Sequence, residues 1–129
     1  MLSDADPIVT EDDIAVLVDA FYAKVRRDPE LAPVFASRIA DGDWPAHLAK
    51  IRDFWSSVMR RSGRYRGNPF GAHLRVEGIR PELFDRWLGL FGETCIERLS
   101  PEKAEAIHAK AIMIGDSLKA GLFFRPGEG

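Results

Sequence analysis

Apolar residues return every three or four positions along this chain, and no segment alternates as a half-buried strand requires. Ile14, Leu17, Val18, Phe21, Tyr22 and Val25 form one continuous helical face. Thr10 sits where an N-cap belongs, and Asp13 takes the place a capping box usually gives to Glu. Pro29 stops that helix. A short helical segment over 30–35 delivers Phe35 to the interior, and 36–43 reads as a turn region punctuated by Gly42.

Asp43 is placed to cap a second long helix, with Trp44 and Pro45 in its first turn. Its inner face is His47 or Leu48, then Ile51, Phe54, Trp55 and Val58. The pattern dissolves near Ser62 and Gly63. The stretch from Arg64 to Gly71 reads as a loop, followed by a short helix over 69–75. Pro81 begins another long helix reaching about Leu99, with Phe84, Trp87, Leu88, Phe91, Cys95 and Ile96 on its apolar face. Ser100, Pro101 and Glu102 then start a last helix: a cap, a first-position proline and an acid facing the dipole. Ala104, Ile107, Ala111, Ile114 and Leu118 carry it to about Phe124. The expectation is an all-α protein of four long helices and several short ones. Residues 1–10 are expected to be a flexible lead-in, 11–124 the folded domain and 125–129 a flexible tail.

With 129 residues, one domain is expected. Such a chain buries roughly two thirds of its unfolded surface and needs no staples. A net charge of -2 gives no electrostatic footprint for nucleic acid, and Arg60, Arg61, Arg64 and Arg66 read as a helix end and a solvated loop. The single cysteine, Cys95, excludes a disulfide within the chain and fits a reducing compartment. No segment resembles a signal peptide, and no apolar run approaches the roughly 20 residues of a membrane helix. A cytoplasmic protein with no membrane partner follows as the expectation.

Several polar side chains stand within these apolar patterns. Tyr22 shares the inner face of Phe21 and Val25, and a buried phenol needs a hydrogen-bond partner. The plain alternative is a core tyrosine bonded to a backbone carbonyl. Trp87 follows the same logic, because an indole N–H can only donate. Two donors at one pocket suit a partner that only accepts, such as dioxygen. His73 follows a loop, in Asn68-Pro69-Phe70-Gly71-Ala72-His73-Leu74, where a preceding turn can fix the imidazole for a metal. Its plain alternative is a surface histidine. His47, near a helix start, can swing between pocket and solvent, and its alternative is an exposed histidine. His47, His73, His108 and Cys95 lack a zinc-type spacing. His108 is expected to be unrelated to the pocket.

Taken together these residues resemble the truncated haemoglobins, and among them the group III subfamily, over about residues 11–124. Phe21-Tyr22 looks like the family's distal pair. Phe35, 13 positions after Tyr22, matches its corner phenylalanine, and His47, 25 after Tyr22, matches the distal histidine position. Trp55 lies eight residues beyond His47, where group III carries tryptophan. His73 matches the proximal histidine and Trp87 the helical tryptophan of the pocket. The glycine pairs of other truncated groups are missing, and Ile51 stands where other groups often place glutamine.

The resemblance implies a two-over-two helical sandwich around a non-covalent haem b. Covalent attachment is excluded directly, since no Cys-x-x-Cys-His exists. His73 is then the metal ligand. Phe35, His47, Lys50, Ile51, Phe54, Phe70, His73, Arg75 and Trp87 contact the cofactor, and Tyr22, His47, Ile51 and Trp87 line the distal pocket. Lys50 and Arg75 are the candidates for the propionates, ahead of Tyr65 and Arg66. The implied function is reversible binding of dioxygen, nitric oxide, carbon monoxide or other small haem ligands, by a monomer or weak dimer. The alternative is a redox enzyme, dioxygenating nitric oxide or reducing peroxide, with no catalytic residue beyond the pocket. Because the chain has no flavin or nicotinamide fingerprint, that reading requires a separate reductase as partner. A third reading, a haem-free helical interaction module, makes Tyr22 and His73 structural and the protein colourless.

Overall fold

The computed structural model describes residues 9–67 and 79–123, and every element among them is helical. Helix α1 spans Glu11–Val25, α2 Leu31–Ala36, α3 Trp44–Arg60, α4 Pro81–Arg98 and α5 Pro101–Phe123, with a 3-10 turn at Asp41–Asp43 before α3. Helix α1 packs on α3 and on α4, and α4 packs on α5, giving two helix pairs laid across each other. The short helix expected over 69–75, with Phe70, His73 and Arg75, lies outside the described residues.

Helix α1 begins as its sequence demands. The Thr10 amide donates to Asp13 Oδ2 at 2.9 Å and the Asp13 amide donates to Thr10 Oγ1 at 3.1 Å, so aspartate closes the capping box in place of glutamate. Ile14, Leu17, Val18, Phe21, Tyr22 and Val25 are all buried. Val9, within the expected flexible lead-in, is also buried, and its carbonyl accepts from Arg60 at 3.0 Å. Glu11 completes that anchor. Its carboxylate accepts from Ser56 at 2.8 Å and Arg60 at 2.9 Å, and pairs with Arg64 at 3.2 Å. Two members of the basic run thus tie the start of α1 to the end of α3. Arg61 ends α3 with a left-handed φ of 56°, and its amide still reaches the Ser57 carbonyl.

Two expectations fail for identifiable reasons. Asp43 occupies the cap position of α3 but makes no side-chain cap bond. Its backbone is already helical, at φ −91° and ψ −8°, because the 3-10 turn leads straight into the helix. Ile96 is 77% exposed, although its neighbour Cys95 is buried. One residue along a helix turns the side chain by about 100°, which carries Ile96 off the stripe formed by Leu83, Phe84, Phe91 and Cys95. Burial pushes the Cys95 thiol up to about 12, so it behaves as a small hydrophobe.

The α4–α5 pair packs closely at two points. A Cβ on Gly92 would lie 2.7 Å from the His108 ring, and one on Gly115 would lie 3.2 Å from Leu88. His108, expected to stand apart from the pocket, is the half-buried ring that fills the space at Gly92.

A buried carboxylate fixes the turn between α1 and α2. Asp28 is 5% exposed, and its Oδ2 accepts from the amides of Glu30 and Leu31 at 3.1 and 3.0 Å. The carboxylate thus caps α2 from two residues before Glu30. Its Oδ1 accepts from Arg86 Nε at 2.9 Å, joining the turn to α4. The hydrogen bond from Arg86 holds the Asp28 carboxyl below its ordinary range, helped by the two amides and opposed by burial. A depressed folded-state value contributes stability that is present above the unfolded value, near 3.9, and lost as pH falls through the folded one. Asp28→Asn is therefore expected to cost about 1–3 kcal/mol at neutral pH. Denaturant titrations should show the difference from wild type shrinking through the acid range; a pH-independent difference would discard the linkage.

Candidate functional site

Phe21 is the hub of an aromatic cluster that brings α1, α3 and α4 together. It is fully buried and meets Tyr22, Trp87 and Phe91 edge to face, with ring centroids 4.8, 5.1 and 5.0 Å away. Trp87 lies flat on Phe91 at 5.0 Å, and Trp55 stacks on Phe91 at 5.2 Å. Trp55 and Trp87, from different helices, therefore enclose one phenylalanine. Phe54 turns instead toward Tyr65, 5.2 Å away.

Beside this cluster lies a smaller group with polar atoms. Tyr22 is 4% exposed, and its ring sits 5.9 Å from Phe35, 6.0 Å from Trp44 and 6.2 Å from His47. The Trp87 side chain sits close enough to the Tyr22 hydroxyl to pull its pKa down. An indole N–H can only donate, so toward Trp87 the phenol oxygen can only accept. Burial raises the phenol well above its ordinary value, and Trp87 only partly offsets it, so Tyr22 keeps its proton. Trp87 and Tyr22 thus bring their polar atoms together at one place.

His47 brings a second buried polar atom. Its Nε2 is shielded from water and has no hydrogen-bond partner among the described residues. Burial, and then the nearby Lys50 ammonium, lower its pKa below the usual histidine value, so the ring is neutral at pH 7. A cavity of about 230 Å³ adjoins it, lined by Arg38, Ile39, Asp43, Ala46, His47 and Lys50. Ile51 and Leu48 are half-buried against the core. Lys50 is exposed and faces that cavity.

The structure thus brings Tyr22, Phe35, His47 and Trp87 into one aromatic group, while Ile51 packs against the core and Phe54 lies apart beside Trp55 and Tyr65. The expected roles of Phe70, His73 and Arg75 fall outside the described residues. Sequence reasoning missed Trp44, which it placed only in the first turn of α3. Trp44 is 4% exposed and touches Tyr22, Phe35 and His47. The signal was present: Trp44 and His47 stand three apart, and residues so spaced share a helix face. Arg26 was also missed; its guanidinium lies over the Trp44 ring, 4.7 Å from the centroid. Among the described residues no group of three or more histidine, cysteine or acidic side chains is arranged to hold a metal ion, and no helix is long and apolar enough to cross a membrane.

No family model matches the chain. A curated relative does: the group 3 truncated hemoglobin ctb of Campylobacter jejuni is 34% identical over 117 residues, which cover 89% of this chain and 92% of the relative. The crystal structure of group III truncated hemoglobin from Campylobacter jejuni superimposes with a TM-score of 0.87 at 32% identity, covering 99% of this chain and 100% of that one. The crossed helix pairs, the aromatic cluster around Phe21 and the paired Tyr22 and Trp87 therefore stand in a known architecture, and this chain belongs to the group III truncated hemoglobins.

Proposed function

We propose that this chain holds haem b non-covalently, with His73 as iron ligand, and binds dioxygen and other diatomic gases reversibly beside Tyr22 and Trp87. The observation that carries this reading is the Trp87 side chain set against the buried Tyr22 hydroxyl in an aromatic surrounding. Because the phenol can only accept from an indole, its own proton is the one left to donate into the pocket. A haem supplies a site at iron for a gas that accepts such a proton but donates none. Trp87 then orients the Tyr22 hydroxyl rather than competing with it. The lone Nε2 of His47, buried and unpartnered, fits the same pocket, since a buried polar atom without a partner is costly in a closed core. Phe35 and Trp44 supply the apolar wall, and Lys50, in the lining of the adjoining cavity, a cation for a propionate.

The visible spectrum tests the reading. The purified full chain, ferric, then reduced with dithionite, then exposed to carbon monoxide, is expected to show a Soret band that moves at each step. A protein that remains colourless after haem is supplied discards the proposal and leaves a helical module.

A further inference from the structure

Trp44 opens α3 and is almost fully buried, yet its contacts are not those of a simple core filler. The Phe35 ring lies nearly parallel to it at 6.1 Å, and the His47 ring stands perpendicular at 5.4 Å. The Arg26 guanidinium covers the ring 4.7 Å from its centroid. Arg26 directly follows α1, four positions after Tyr22, and its ion pair is with Asp41 at 3.5 Å. That carboxylate is almost fully exposed, so water screens it and Trp44 is the better defined contact. Trp44 therefore links the end of the helix carrying Tyr22 to the start of the helix carrying His47.

His47 has reason to leave its inward place. Its buried Nε2 has no partner among the described residues, whereas Asp43, whose carboxylate can accept from an imidazole, lines the adjoining cavity. Something must hold the ring in. Among the described residues the perpendicular contact with Trp44 is the closest ring contact His47 makes, shorter than the 6.2 Å to Tyr22. We propose that Trp44, backed by the Arg26 guanidinium, is the positioning residue that keeps His47 inward, and that this pair governs how readily small ligands enter the pocket. The part concerning entry rests on the gas-binding reading above; the holding of His47 does not.

Among the described residues the charged and titratable groups around His47 are Lys50 on its own helix, Asp43 at the helix start and Arg38 after α2, all lining the adjoining cavity, and the Tyr22 phenol on α1. Inward, burial and Lys50 keep the ring neutral. Outward, beside Asp43 and in water, it regains ordinary histidine behaviour.

The test uses the full-length haem-loaded carbonmonoxy protein in wild type, Arg26→Gln, Trp44→Phe and Trp44→Leu. Two quantities are read: the pH titration of the His47 ring by NMR, and the carbon monoxide association rate after flash photolysis. Arg26→Gln is expected to move the His47 titration upward and to raise the association rate about two- to fivefold, the span of a partly exposed cation–π contact. Trp44→Leu moves both further, and Trp44→Phe, which keeps a ring, returns them most of the way to wild type. An unmoved titration, or an unmoved association rate, in Arg26→Gln overturns the proposal. Arg26 is exposed, so this arm decides even where Trp44→Leu fails to fold. In a chain that takes up no haem, the gas-binding reading and the control of entry fall together, and the His47 titration alone decides whether Trp44 holds the ring.

Discussion

Replacing Tyr22 by phenylalanine is expected to raise the dioxygen dissociation rate by about tenfold to a hundredfold, the effect of losing one buried hydrogen bond to the ligand. Phenylalanine keeps the ring contacts with Phe21, Phe35 and Trp44, so the aromatic wall survives and only the hydroxyl is lost. The substitution also removes the oxygen that the Trp87 side chain sits against in wild type. That makes the two residues one unit, and their effects should not add. Trp87→Phe in the Tyr22→Phe background is expected to change the rate by a different factor from Trp87→Phe in wild type. Stopped-flow displacement of dioxygen by carbon monoxide reads all four proteins. A Tyr22→Phe rate equal to wild type removes Tyr22 from the ligand's surroundings.

The other large effect belongs to His73→Gly. If His73 is the iron ligand, the variant loses the protein's own axial nitrogen, and the ferrous and carbonyl spectra both depart from wild type. Added imidazole should restore them, because a small free base can occupy the space that the deleted ring leaves. Spectra that are the same in wild type and variant assign the proximal ligand elsewhere. His73 lies outside the described residues, and the spectrum decides its role.

The helices were legible because their signals are local. Thr10 and Asp13 announce α1 within four residues, and both halves of that capping box form. The buried stripe of α1 follows from spacing alone. Asp43 misled because a cap requires extended backbone, and whether the preceding residues form a 3-10 turn depends on how the chain crosses from α2 to α3. Ile96 misled because apolar character says nothing about which side of a stripe edge a residue falls on. At the site, the burial of Tyr22 was readable. The approach of Trp87 to its oxygen was not, since it depends on the distance between α1 and α4. Asp28 gave no signal at all: its partners are two nearby amides and an arginine 58 residues away.

Leu88 against Gly115 and Gly92 against His108 lie one and five residues after Trp87 along α4. They act as two notches that set how far α4 may slide or rotate on α5. The height at which the indole meets the Tyr22 oxygen is therefore fixed at an interface turned away from that oxygen. Inheritance of the pocket consequently includes these two glycines: a lineage that enlarges residue 92 must shrink residue 108 in the same stroke, or retune its ligand chemistry without altering any residue in the pocket.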